Sequence, residues 1–312
     1  MSETIPLTNP EQGEVKPPFD SRFGNIDRLT EIMREGEVVE MGRIEDIYPE
    51  VVEHANVVDI VDIPAFEKFQ HANEVLGVKI QKDGEILRFV FKPADGESQE
   101  SKKEFEVKEF SPHEYAAFQV SEHFGLDIVP PTIIREINGR VGALQLFLDH
   151  DYYQTASKAG LLKEGDDYYR IAILDWLLIN CERHKENMML RKDDPAQMAA
   201  IDHGVILSSA DYGDKALRGP SALLTEDGEG KPRQVTIPQD LIDKVNSGFS
   251  HQEELTDSLS QLSDITPEEI AAMWKRAGHL IKYGVFLSKY NFKQVADRSW
   301  LSDYYENPND QK

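Results

Sequence analysis

The chain has 312 residues, of which 40% are hydrophobic, and carries 34 lysines and arginines against 57 aspartates and glutamates, a net charge of −23. That apolar content excludes a disordered chain, and the length suffices for two lobes, each with its own core. The acidic excess argues against a nucleic-acid footprint, or adhesion to an anionic membrane through overall charge, and reads as a solubility device.

Residues 1–20 carry Pro6, Pro10, Pro17 and Pro18 among polar residues and are expected to form a loose tail, without the basic and apolar regions of a signal peptide. No apolar run approaches the ~20 residues that span a bilayer. The single cysteine, Cys181, rules out an intramolecular disulfide; it reads as a core residue of a cytoplasmic protein without integral membrane association. Residues 26–80 lack a clean period, and helices are expected near 26–34 and 64–75. Val78–Gln81, the turn Lys82-Asp83-Gly84 and Ile86–Lys92 predict a β-hairpin, with Leu87, Phe89 and Phe91 on one face and Ile86, Arg88, Val90 and Lys92 on the other. Ser111-Pro112-His113-Glu114 reads as a helix start with Ser111 at the N-cap, and Gly125 ends that helix. An extended stretch opens at Val129-Pro130-Pro131-Thr132. A second hairpin turns at Asn138-Gly139 and returns along Val141–Leu148.

The second half reads mainly helical. Ile171, Leu174, Leu177, Leu178 and Cys181 mark a helix buried on one broad face. Thr266-Pro267-Glu268-Glu269 is a capping box that launches a stripe of Ile270, Met273, Trp274, Ala277 and Ile281. Residues 208–235 contain four glycines and two prolines among charges and are expected to form a mobile loop. Strands with one helix, followed by helices with a short hairpin, make an α+β, two-lobe pattern.

The chemistry is concentrated in Asp175–Asn187 and Ile201-Asp202-His203-Gly204. A buried helix runs into a dense polar knot, which is costly unless those groups are used or mutually satisfied. Met188–Arg191, a turn at 192–195 and Met198–Ile201 form a hairpin that folds Asp202 back beside Asn187, while Glu182 lies five residues before the amide. Phosphoryl transfer needs this set: two oxygen ligands to hold Mg²⁺ against phosphates, and a carboxylate to orient the attacking hydroxyl.

Glu182-Arg183-His184-x-x-Asn187 with Ile201-Asp202-His203-Gly204 resembles the catalytic and metal-binding motifs of the phosphoinositide 3- and 4-kinase-like superfamily. It is most similar to small stand-alone bacterial members, which share features with HipA-like kinases. The resemblance extends over Phe91-Lys92-Pro93, Gly96-Glu97, His113–Ala117, Val129–Thr132 and Gln145–Phe147. It implies a bilobal protein-kinase-like fold with a sheet-rich N-lobe at 26–148 and a mainly helical C-lobe at 149–296, flanked by an acidic tail at 1–25 and a C-terminal tail at 297–312. It further implies ATP and Mg²⁺ as cofactors: Lys92 on the phosphates, Glu114 as its helix partner, Gln145, Leu146 and Phe147 as the adenine hinge, and Asn187 and Asp202 as metal ligands. Glu182, Arg183 and Lys92 would be catalytic and Asp175 a structural anchor. The family has Asp where this chain has Glu182; the extra methylene shifts the carboxylate by about an ångström, a displacement that can cost ~10²-fold in rate.

Competing explanations exist for several of these residues. Lys92 alone reads as a solvated strand end, and Glu114 as the closing member of the Ser111 capping box. His184 reads as a loop brace, and His203 as a packing residue. The expected partners are ATP and an unknown hydroxyl acceptor. Residues 208–235 carry only Lys215, Arg218, Lys231 and Arg233 as cations, which favours a protein or small molecule over a polyphosphorylated lipid. The alternatives are a catalytically impaired pseudokinase that binds nucleotide or acts as a scaffold, and an AMP transferase on the same fold.

Overall fold

The computed structural model describes residues 23–51, 73–160, 165–180, 182–207 and 235–286. The expectations for Cys181, the tails at 1–20 and 297–312, most of the 64–75 helix and the loop at 208–234 lie outside these residues.

The first half is built on a five-stranded antiparallel sheet. Helix α1 (Ile26–Glu35) begins at Asn25, whose side chain accepts from the Arg28 N–H. It is followed by β1 (Glu37–Arg43), a short helix α2 (Ile44–Ile47), β2 (Leu76–Lys82) and β3 (Glu85–Pro93). Helices α3 (Gln99–Phe105) and α4 (Ser111–His123) come next, then β4 (Thr132–Ile137) and β5 (Arg140–Leu146). The order across the sheet is β1-β2-β3-β5-β4. Both predicted hairpins form, with Lys82 opposite Glu85 and Ile137 opposite Arg140. Their turn residues Asp83-Gly84 and Asn138-Gly139 all have positive φ, which matches the twist of a two-residue hairpin. Phe89 and Phe91 are fully buried with Val78, Ile80, Leu144 and the α1 residues Leu29, Ile32 and Met33, so α1 covers one sheet face. Phe23, assigned to the tail by sequence, is buried in the same cluster.

The second half is mainly helical. Strand β6 (Tyr153–Thr155), α5 (Ala156–Ala159) and α6 (Asp166–Leu178) lead into β7 (Met188–Arg191) and β8 (Met198–Ala200). After β9 (Val235–Thr236) come α7 (Gln239–Phe249), α8 (Gln252–Leu259), α9 (Pro267–Tyr283) and β10 (Val285–Phe286). The larger core gathers α6, α7, α9 and the inner face of α4. The capping box at Thr266 forms on both sides, and Ile270, Met273, Trp274 and Ala277 are buried as the stripe requires.

One local prediction is corrected. Ser111 is the first helical residue of α4, and the N-cap is Phe110, which makes no side-chain cap. The orphan donors go instead to Glu97, whose Oε1 accepts from the Phe110 and Ser111 N–H groups at 3.0 and 3.1 Å. A carboxylate from the previous loop satisfies the helix end, which releases Glu114 from the capping box.

Candidate active site

Helix α6 ends at a tightly sealed turn. Ile179 takes φ 51°, an uncommon conformation for a β-branched residue that persists only where its surroundings hold it. Three carbonyls of the last turn find donors: Asp175 O from the Asn180 N–H, Leu178 O from the Leu207 N–H, and Leu177 O from the Arg276 guanidinium on α9. The chain then enters the loop 182–187. Glu182 N–H donates to Asn180 Oδ1 at 2.9 Å, and Asn187 Nδ2 donates to the Glu182 carbonyl at 3.0 Å. With its amide nitrogen so engaged, Asn187 turns its remaining oxygen into the cleft that it lines.

The β7–β8 hairpin does what its sequence pattern predicts. Ile201 N–H donates to the Asn187 carbonyl at 3.0 Å, so the next residue, Asp202, stands beside the loop. Asp202 has φ 60°, and the following Gly204 packs so closely on Phe110 that a Cβ would lie 2.9 Å from the Phe110 Cβ. Any larger residue at 204 would push α4 away from this loop.

Across the cleft, the Lys92 ammonium bridges Glu114 and Asp202, with Asp202 Oδ1 at 2.9 Å. Glu114 Oε2 also accepts from the His203 N–H at 3.0 Å. Burial works against the Lys92 charge, but the Asp202 and Glu114 carboxylates outweigh it and hold the pKa above the ordinary lysine value. Asp202, half open to solvent, is held below the usual carboxylate range by the same ammonium. Burial raises the Glu114 pKa, with Lys92 acting against it.

Beneath this open network lies a sealed one. Arg183 is fully buried, and each of its three nitrogens donates. Nε donates to Asp175 at 3.2 Å, Nη1 to the carbonyls of Asn187 and Ile201 at 2.7 Å each, and Nη2 to His203 Nε2 at 2.7 Å. Burial and the neighbouring Arg183 push the His203 pKa well down, so the ring is neutral and accepts at Nε2. The assignment of Arg183 as a catalytic residue is corrected. It does not line the cleft, and it holds the loop of Glu182 against the loop of Asp202. Asp175 is the buried anchor expected from the sequence, and the exposed His184 braces the loop through Glu186 at 3.1 Å. His203 does more than pack, because it links Arg183 to Glu114.

The open network and the loop of Glu182 and Asn187 face one cleft of about 490 Å³. Lys92, Glu114, Gln145, Leu146, Phe147, Glu182, Asn187 and Asp202 line it. Its charged end lies at Lys92 and Asp202. Its apolar lining includes Ile44, Val51 and Val90, which pack with Phe147, and also Met189 and Ile201. Along the hinge, Leu146 N–H is taken by the Pro131 carbonyl and Phe147 N–H by the Arg88 carbonyl. Buried Leu148, one residue beyond the predicted hinge, is the first whose backbone N–H has no partner among the described residues.

Residues 154–221 match the family model described as phosphatidylinositol 3- and 4-kinase. Over these residues the chain is similar to the phosphatidylinositol 3- and 4-kinases. Two Arabidopsis thaliana relatives are phosphatidylinositol 4-kinase gamma 8, 30% identical over 34% of this chain and 24% of its own length, and phosphatidylinositol 4-kinase gamma 1, 31% identical over 30% and 17%. The chain thus spans about a quarter or less of the length of the curated relatives it matches. Among solved structures, a Helicobacter pylori proinflammatory kinase, CtkA, matches with TM-score 0.38 and 13% identity over 74% of this chain and 94% of its own. The Shewanella oneidensis HipA toxin–antitoxin complex matches with TM-score 0.34 and 10% identity over 85% and 75%.

Several lining residues of this site escaped the sequence reading. Glu97 was quoted only within Gly96-Glu97, and nothing local to it signals a cap for residues 110 and 111. Ile44 and Val51 come from a stretch without periodicity, where only tertiary packing gives them a role.

Proposed function

We propose that the chain is an ATP- and Mg²⁺-dependent phosphotransferase acting on a hydroxyl acceptor. The observation that carries this reading is the single cleft, in which a lysine paired to a helix glutamate faces an aspartate, an asparagine and a further glutamate, next to an apolar slot beside the hinge.

The donor set fits Mg²⁺, which takes one or two protein oxygens and completes its shell with phosphates and water. Asn187 and Asp202 would hold the ion, whose role when bound is to neutralise charge on the phosphates. Lys92 is kept in the cleft by Glu114, and an incoming phosphate competes with Asp202 for its ammonium. Glu182 accepts the proton of the acceptor hydroxyl as its oxygen bonds to the γ-phosphorus, and the bond to the bridging oxygen breaks to release ADP. Lobe boundaries near 148 and 296 fit this reading, with the cleft between a sheet-rich and a helical half. A protein or small-molecule acceptor is favoured over a lipid because the segment 208–235 carries few cations.

A second reading, a nucleotide-binding pseudokinase, is favoured by Glu182 standing where the family has Asp. Incubation with Mg²⁺ and ATP labelled at the α- or the γ-phosphate separates these readings. Label from the γ-position on protein or acceptor supports phosphoryl transfer, and label from the α-position indicates AMP transfer. Thermal stabilisation by Mg·ATP with no label transferred favours the pseudokinase. No stabilisation at millimolar Mg·ATP defeats all three readings, since a ligand at a hundredfold excess over its Kd adds ~2.7 kcal/mol.

A further inference from the structure

The connection from β1 to β2 leaves the sheet at Arg43 and rejoins it at Leu76, and it contains no glycine-rich phosphate loop. Ile44–Val51 folds toward the hinge, where Ile44, Tyr48 and Phe147 form a small core of their own with Val51, Val75 and Val90. Tyr48 is fully buried and stacks on Phe147 at 4.5 Å. Its hydroxyl sits within the β2–β3 ladder, donating to the Val78 carbonyl at 2.7 Å and accepting from the Phe89 N–H at 3.1 Å. Gly77 makes room for this insertion, since a Cβ there would lie 2.8 Å from Ile47 and 3.0 Å from the Tyr48 ring. Arg88 closes the arrangement from outside: its guanidinium lies 4.3 Å from the Tyr48 ring centre and 4.7 Å from that of Phe147, and pairs with Asp149 and Glu50.

We infer that Ile44–Val51 is the ring-side wall of the nucleotide site, positioned by Tyr48, so that this segment contacts the base rather than the phosphates. The inference rests on the nucleotide reading above. The placement of the wall supports it: Ile44 and Val51 line the cleft at its apolar end, next to Phe147 and Leu148. A flat heterocycle in this part of the cleft would meet these side chains together with Met189 and Ile201, with the Leu148 N–H, unpartnered among the described residues, available to it.

Calorimetric titration of the full chain with adenosine and with Mg·ATP tests this. Ile44→Ala is expected to weaken both ligands by the same factor, about tenfold, the equivalent of one apolar side chain's worth of burial. Tyr48→Phe keeps the stack but loses the hydroxyl anchor; both Kd values are expected to rise together. A merely structural Tyr48 would lower the unliganded melting temperature and leave both Kd values unchanged, which overturns its positioning role. If the loss for Mg·ATP greatly exceeds that for adenosine, the connection covers phosphates and the inference fails. It also fails if the parent binds Mg·ATP but adenosine binding is undetectable, or if Ile44→Ala changes neither ligand. A parent that binds neither ligand defeats the nucleotide reading, and the inference with it.

Discussion

Two charged networks lie side by side in this protein, and they are built on opposite terms. The Lys92–Glu114–Asp202 set faces the cleft, with one carboxylate buried and the other half open to solvent. The Arg183–Asp175–His203 set has no solvent contact, and each arginine nitrogen has an acceptor. An open network with a shared cation can exchange partners when a ligand arrives. A sealed network cannot, and its role is to fix the loops that carry the exchangeable groups. The sequence motif names both sets in one breath, Glu182 beside Arg183 and Asp202 beside His203, yet alternate residues serve different networks.

The largest expected effect comes from breaking the sealed set. Arg183→Met leaves Asp175 buried without its cation and removes donors from two backbone carbonyls. Breaking a buried pair from one side costs ~3–5 kcal/mol. Chemical denaturation is expected to show a loss of that size. Arg183→Lys is expected to rescue little, because a point charge cannot serve three directions at once. A stable, well-folded Arg183→Met protein would show that this network is dispensable for the fold and leave the comparison without its basis.

A smaller effect is expected from the open set. Lys92→Ala removes the cation beside Glu114, which is only 2% exposed, so the variant is not neutral as a surface lysine would be. Glu114 keeps the His203 N–H and can take up a proton, so the loss is that of a buried polar group short of a partner, ~1–3 kcal/mol. The deficit depends on pH. Burial raises the folded-state pKa of Glu114, so without Lys92 the native state binds a proton that the unfolded chain has released. Native then holds more protons than unfolded, and stability falls as pH rises through the window above the unfolded glutamate value. Denaturation of parent and variant at pH 5 and pH 8 is expected to show the larger gap at pH 8. Equal gaps at both pH values would mean that Glu114 does not depend on Lys92.

How legible each network was follows from the range of its contacts. The hairpin that brings Asp202 beside Asn187 spans few residues, and its alternating apolar pattern with a Lys192–Pro195 turn declares it. The bond from Lys92 to Glu114 crosses the strand–helix connection, and the one to Asp202 crosses both halves of the fold; only a family resemblance joined them in sequence. The Ser111 cap failed for a related reason: Ser-Pro-x-Glu is a valid local signature, but Glu97 reaches the same donors from a loop and displaces it. Ile44, Tyr48 and Val51 were illegible because they pack by shape against Phe147 and Val90 and follow no helical or strand period. The Arg183 side chain was misread because a cation inside a catalytic motif invites a chemical role, and nothing local reports that four acceptors enclose it.

The smallest expected effect on stability, and the sharpest on function, belongs to Glu182. Its backbone is held by Asn180 and Asn187 on either side, and its half-buried side chain lines the cleft. Substitution there is expected to change stability less than at Arg183 or Lys92. If the pocket is adapted to glutamate, Glu182→Gln abolishes transfer while Mg·ATP binding persists, because the shape is kept and the proton acceptor is lost. Glu182→Asp then also slows transfer, since the shorter arm stops about an ångström short and geometry on that scale controls rate. If glutamate marks a degenerate site, Glu182→Asp raises activity from near nothing. Rates of label transfer for the three proteins, with Kd for Mg·ATP measured alongside, distinguish these cases. Equal rates for Glu, Gln and Asp would remove Glu182 from the chemistry, and the open network would then have to supply the proton acceptor from Asp202, the one carboxylate of that network half open to solvent.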